Sequence, residues 1–403
     1  MAQTLSNFDA ALKEFYLPRL QSTINTNRVL MTHLRRDASK TDASGRRAVV
    51  PVNIRPSQAL GARGDGGALP TAQHQRYVEV RINYKFNYGT IQLTHPTIRA
   101  SRNDRGAFIR VVGSEMDGIR RDLKNDVNRQ LFSYGAGVLG VISSTNGTTT
   151  TMQRGHRVKA NMLIDSKAGL VSTTLQVDGG TVTSVSGNTV NTTSAVGAGA
   201  AADYVFRDGA HGTSAGQTLE MMGLMGIIDS TTYVTTLFNI SRSTYPEWAG
   251  QILANSGTGR DIDEDLLDQA VLDAQSNSEA ELSLGITDPT VWRKIGQLMT
   301  PDRRYTPSMT LAGGFKYLEW SGIPIVWDRD CPVDDSNYLR QLFFLDMDTF
   351  AIYELADWDF DDTDGSILHR VTGYAKYDAT LFYYAQLGCL DPANNVVIRD
   401  INY

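Results

Sequence analysis

Residues 103–134, NDRGAFIRVVGSEMDGIRRDLKNDVNRQLFSY, limit the possible folds more than any other stretch of the chain. Phe108, Val112, Met116, Ile119, Leu123 and Val127 recur three or four positions apart, which lines them along one face of a single helix, and Leu131 extends the row. Arg110, Asp117, Arg120, Arg121, Lys124 and Arg129 fill the other face. At about 1.5 Å per residue, a helix of roughly 28 residues spans about 40 Å, twice the usual length in a globular domain. Asn103 or Asp104 can cap its start, and the run Tyr134, Gly135, Ala136, Gly137 stops it. The simplest home for such a helix is the face of a sheet.

The flanking segments say what else it meets. Residues 5–36 carry apolar positions at helical spacing (Phe8, Leu12, Phe15, Leu20, Ile24), split by Pro18 and followed by Arg35, Arg36 and Lys40. They read as an arm of short helices that buries little against itself and leans on a neighbour. From Arg46 the period changes to two. RRAVVPVNIR is a strand that Pro51 confines to an edge, and RYVEVRINYKFNYGTIQLTH alternates Val80, Ile82, Tyr84, Phe86, Tyr88, Ile91 and Leu93 with polar partners. Between them, SQALGARGDGGALPTAQ places four glycines between Gly61 and Gly67, with Arg63 and Asp65 among them, and reads as the flexible tip of a long hairpin.

Beyond the helix the composition shifts. Residues 143–211 are rich in Gly, Ser, Thr and Val, and short alternating pieces such as RVKANMLID, VSTTLQV, GTVTSVSGNTVNTT and ADYVFRD imply an inserted all-β module of about six strands. Helices and strands then alternate. Residues 218–228 read as a short apolar helix and 261–276 as one with an acidic first turn, while Asp288 and Pro289 supply a cap and a first-turn proline for TVWRKIGQLM. Strands follow at 315–319, 323–327, 339–345, 350–354 and 369–390. The class is α+β.

No catalytic template fits. The chain has no Walker loop, no dinucleotide GxGxxG, no GxSxG and no HExxH. The six histidines are scattered, and Cys331 and Cys389 are single thiols read as buried and reduced, so no cofactor or metal is expected. Asp359, Asp361, Asp362 and Asp364 precede Gly365, but Phe360 breaks the alternation a calcium loop needs. The one enzyme reading left is a β-rich hydrolase using the paired carboxylates Asp328 and Asp330. No membrane span or signal peptide is visible, which points to assembly in a cytoplasm. Charge is divided: residues 1–135 hold 21 Lys and Arg against 11 Asp and Glu, and the remainder 17 against 33. A basic half and an acidic half suit copies docking head to tail, or a polyanion near the first.

The order of these pieces resembles the major capsid proteins of tailed bacteriophages, the Hong Kong ninety-seven fold shared with encapsulin shells. On that resemblance residues 1–45 are an N-terminal arm and 46–95 an extended loop reaching over a neighbouring subunit. Residues 96–142 are a peripheral domain with the spine helix, 143–212 an inserted β-barrel-like domain, 213–350 an axial domain, and 351–403 the return strands of the peripheral domain. The resemblance implies hexamers and pentamers of an icosahedral shell around double-stranded DNA, located in the virion capsid. Scaffold, portal and decoration proteins are the implied partners, with non-specific DNA contact and no membrane; a protein-storing encapsulin-like compartment is the alternative. Arg46, Arg47, Arg55, Gly61, Arg63, Asp65 and Gly67 are then the expected inter-subunit residues. Two features depart from the family pattern. Only about 45 residues precede the loop, so a separate scaffold or none is expected, and the tip has no lysine for cross-linking between Lys40 and Lys85.

Overall fold

The structure is a computed structural model that describes residues 29–37, 45, 47–57, 59–95, 105–153, 155–169, 174–193, 203–211, 218–278, 280–299, 317–332, 339–362 and 365–402. The long helix is present as Arg105–Phe132, 28 residues. Met116, Leu123, Val127 and Leu131 are buried along one stripe, and Ile119 packs beside them; full burial of a side chain such as Val127 or Leu131 is worth about 2 kcal/mol. The side chains of Phe108 and Val112 lie outside the described residues. Gly135 (φ 79°) and Gly137 (φ 82°) turn the chain out of the helix, where a β-carbon would be strained.

The stripe is covered by a five-stranded sheet. Strand Lys376–Cys389 pairs antiparallel with Phe350–Phe360, His369–Arg370 and Lys85–Thr94, and Arg35–Asp37 joins Phe350–Phe360 in parallel. Helix and sheet approach so closely that a β-carbon at Gly89 would stand 2.9 Å from Ile119 Cγ1. The segment 29–37 belongs to this body: Val29, Leu30, Met31 and Leu34 are buried in the core of their own chain. The part of the expected arm at 1–28 lies outside the described residues.

The continuous strand expected over 76–95 is two strands. Arg76–Asn83 pairs with Arg47–Arg55 as a separate hairpin, whereas Lys85–Thr94 enters the five-stranded sheet. The chain turns the corner at Tyr84, which is itself buried. Ala48, Val50, Val80 and Ile82 are buried at the hairpin's base, and exposure increases toward its tip.

The inserted module is a closed barrel of six strands: Val138–Asn146, Thr149–Met152, Leu163–Lys167, Leu175–Ser186, Thr189–Thr192 and Tyr204–Arg207. It begins at Val138 and not at 143, because Leu139, Val141 and Ile142 are already buried, with Met152, Val158, Ile164, Val182, Val190 and Val205 completing the interior. Closure leaves no free sheet edge.

The last unit is a six-stranded sheet in the order Gln251–Leu253, Val396–Ile401, Arg340–Leu345, Leu284–Thr287, Ile323–Trp327, Leu318–Trp320. Helices Glu264–Ser278 and Pro289–Leu298 pack on it, and Asp288 caps the second through a 2.7 Å bond from the Thr290 N–H. Two expectations change here. The helix expected over 218–228 is only Leu224–Ile227, because Thr218 and Met222 are held extended in β-bridges to His211 and Tyr134 and the Gly223 N–H bonds Ser133 O at 3.0 Å. Residues 351–403 do not all return to the sheet under the long helix, since Val396–Ile401 pairs with Arg340–Leu345 and Gln251–Leu253 in the six-stranded sheet.

Candidate inter-subunit surfaces

Residues 59–75 form the hairpin tip and bury almost nothing: Leu60 is 85% exposed and Leu69 86%. Its order is local. Ser57 Oγ donates to Gln73 O across the legs at 2.9 Å, Arg63 donates from Nε to Ala68 O at 3.0 Å, and a turn joins the Gly67 N–H to Gly64 O at 3.0 Å. Gly61, Arg63, Asp65 and Gly67 are therefore together at the outermost point. Arg47 starts the first strand opposite Asn83, at the base; Arg46 lies outside the described residues.

Arg55 has a partner in its own chain that no sequence pattern announces. Its guanidinium donates to both Glu247 carboxylate oxygens at 2.7 and 3.2 Å and to Thr244 O at 3.2 Å, and it lies 5.3 Å over the Tyr245 ring. Arg76 Nε donates to the Tyr245 hydroxyl at 3.2 Å, and the Arg81 N–H to Phe238 O at 3.0 Å. Phe238 (φ 49°) and Asn239 (φ 72°) form the tight turn between Thr236–Leu237 and Ile240–Ser241. These contacts fix the hairpin's direction more than its stability, because an ion pair exposed to this degree contributes under about 1 kcal/mol.

The long helix, the barrel and the six-stranded sheet meet in a buried polar junction. Asn128 Nδ2 donates to Asp328 Oδ1 at 3.2 Å and to Asp330 Oδ2 at 2.7 Å, and barrel residue Arg157 is ion-paired with Asp330. The carboxylates considered for hydrolytic chemistry are thus tied down structurally. Beside them, Arg207 donates to Asp126 Oδ1 at 2.7 Å, and Arg129 bridges Asp126 and Glu220. Burial opposes ionisation of Asp126, yet Arg129 and Arg207 hold its carboxyl below its ordinary range; burial wins at Glu220 and pushes it up despite Arg129. Arg242, fully buried, closes the short helix by donating to Gly226 O at 3.1 Å and Ile227 O at 2.6 Å. A lone arginine in a Ser- and Thr-rich stretch gives no hint of this.

Among the described residues, Asp165, Asp178 and Asp208 bring carboxylate oxygens within 4.8 Å of one another on the barrel and are the group that could hold a cation. Asp165 is already satisfied by the N–H groups of Gly179 (2.8 Å) and Gly209 (2.9 Å) and by His211 at 3.1 Å, so the cluster braces two turns. Lys85 is at the hairpin's base, donating to Thr218, and burial lowers its ammonium pKa. Both cysteines are buried, and burial raises Cys389 to about 12. No described helix is long and apolar enough to cross a membrane.

No protein-family model matches the chain, and no curated protein does. Solved structures do. The capsid asymmetric unit of cyanophage A-1(L) superposes with a TM-score of 0.56 at 14% identity, over 96% of this chain and 93% of that one. The capsid of an empty GTA particle gives 0.51 at 10% identity, over 94% and 97%. The holo-SrpI encapsulin complex from Synechococcus elongatus gives 0.47 at 9%, over 100% and 97%. With hairpin, long helix and two sheet units in the expected order, the chain has the fold of phage capsid proteins.

Proposed function

We propose that this chain is a structural shell protein that assembles into the hexamers and pentamers of an icosahedral capsid enclosing the double-stranded DNA of a tailed phage. The observation that carries the reading is the hairpin whose tip, with Leu60 and Leu69 bare, buries almost nothing in its own chain. A two-stranded ribbon of this kind is marginal alone, and head-to-tail repetition of its contact with a neighbour closes rings and shells. The buried junction of Asn128, Asp328, Asp330 and Arg157 gives the subunit the internal stiffness such a contact needs. No catalytic role is assigned. Arg47, Arg63 and the neighbouring glycines are the inter-subunit residues, with Arg55 aiming the hairpin from within the chain. Scaffold, portal and decoration proteins are the partners of this reading, the host cytoplasm its place of assembly and the virion capsid its destination. Purified particles treated with nuclease should retain protected DNA when assembled during infection. Particles that hold protein and no nucleic acid would favour an encapsulin-like compartment, and a chain that stays a small monodisperse species would refute both.

A further inference from the structure

The long helix, the barrel connection 155–162 and the segment 329–332 leave a hollow between them. It encloses about 1250 Å³, room for a small molecule. Five cations line it, Arg129, Arg157, Lys159, Arg207 and Arg329, against three carboxylates, Asp122, Asp126 and Asp330. Two of the carboxylates are already committed. Asp126 accepts from Arg129 and Arg207, and Asp330 accepts from Asn128 and Arg157. Glu220 pairs with Arg129 from outside the lining, and burial pushes its carboxyl up toward the neutral form. These pairs do not use up the donors. Arg129 is only 7% exposed, yet its Nη1 has no hydrogen-bond partner among the described residues. The buried Nε of Arg207 has none either. Lys159, exposed at the rim, bonds nothing through its ammonium among the described residues. A buried N–H of a charged group is costly to leave without an acceptor, so the hollow has donors to spare and lacks oxygens.

We propose that this hollow is a binding site for a phosphate group, free or carried by a nucleotide, held by Arg129 from the helix and by Arg207 and Lys159 from the barrel. Charge and donor number select this ligand. The excess of two cations in the lining suits a dianion, and three separate donors call for three acceptor oxygens. Phosphate supplies both near neutral pH, whereas a carboxylate brings one charge and two oxygens. Arginine forks also match phosphate oxygens in pairs. A DNA duplex is too broad to reach Arg129, which is more than nine-tenths buried. Because the donors come from two units of the fold, the bound group would tie the barrel to the long helix. The site is complete within one chain and does not depend on how copies assemble.

The test titrates the full chain with inorganic phosphate, with deoxyadenosine monophosphate and with a short DNA duplex, chloride holding the ionic strength constant. Heat of binding and amide exchange are followed together. The expected result is saturable binding of one phosphate group per chain, with slower exchange at residues 155–162. Lys159→Ala, at an exposed position where folding is not at stake, should weaken that binding about tenfold. Arg370→Ala, exposed in the five-stranded sheet, should leave it unchanged. A nucleotide that binds more tightly than phosphate identifies the nucleotide as the source, and one that binds equally or more weakly identifies the free anion. Absence of saturable binding by either small ligand overturns the site. So does binding that Lys159→Ala leaves unchanged, or a duplex that binds through Lys159 when the two small ligands do not.

Discussion

Two glycine-to-alanine changes, one at the end of the long helix and one in its middle, should move stability in opposite directions. Gly223 packs against the last turn of the helix, and its N–H donates to Ser133 O at 3.0 Å. A β-carbon there would overlap the carbonyl oxygens of Gln130 and Leu131 and stand 2.5 Å from the Leu131 carbonyl carbon. Carbon atoms prefer about 3.5–4.0 Å, so the backbones must part by about 1 Å, and no rotamer change relieves the overlap. Overpacking against unyielding neighbours costs about 3 kcal/mol. Gly118, in the middle of the same helix, has nothing within 4 Å of the place a β-methyl would take, so alanine there gains about 0.8 kcal/mol of helix propensity. The two variants should differ by roughly 4 kcal/mol in urea unfolding followed by fluorescence of the buried Trp248 and Trp358. Equal midpoints, or a Gly223→Ala protein as stable as the parent, would refute the close packing of residues 220–227 on the helix end.

Arg157→Ala leaves the buried Asp330 with only the more exposed Arg329, 3.7 Å away, as its cation and should destabilise by about 2 kcal/mol, with earlier proteolysis of the barrel connections; Asp330→Asn added to it should recover part of the loss. Cys331 and Cys389 should both resist a thiol reagent at pH 8 in the native protein and both react in denaturant, since burial holds the Cys389 thiol up at about 12 and Cys331 well above its ordinary value; a native fast-reacting thiol would contradict that packing. Boiled in detergent and reductant, assembled particles should run as one band near 44.3 kDa, because the tip presents Arg63, a poor nucleophile, and Lys85 is bonded at the base; a ladder of multiples would mean that another lysine reacts. Residues 61–67 should exchange amide hydrogens fast in the free chain and slowly in particles, and equal rates would count against a docked tip.

What is legible in the sequence is periodic. Met116, Leu123 and Val127 repeat over enough turns to define a helix and its buried face, and the glycine- and threonine-rich run after it has the composition of short strands. The barrel starts earlier than its composition suggests, because Val138 to Ile142 are mostly apolar and precede the Ser- and Thr-rich run that marks the module, yet they are the first residues of the barrel wall. The closing strand Val396–Ile401 pairs in a different sheet from the one expected, since a strand buried on both faces carries no alternation, and its Arg399 and Asp400 look like surface residues though both are buried. Contacts between distant residues leave no local trace. Glu247 is 192 positions from Arg55, and nothing near either residue names the other. Of the candidate inter-subunit residues, those at the glycine-rich tip are legible from composition; the outward turn of Phe86 and Tyr88 is not legible, because alternating Phe and Tyr in a strand ordinarily means core, and only the burial of the opposite set shows which way they point.

The most direct measurement is an electron micrograph of the purified full-length chain at assembly concentration. The shell reading predicts closed particles of uniform size, many times larger than a 44.3 kDa subunit, built from rings of five and six copies. A field of small monodisperse particles that persists across salt and protein concentration would contradict it.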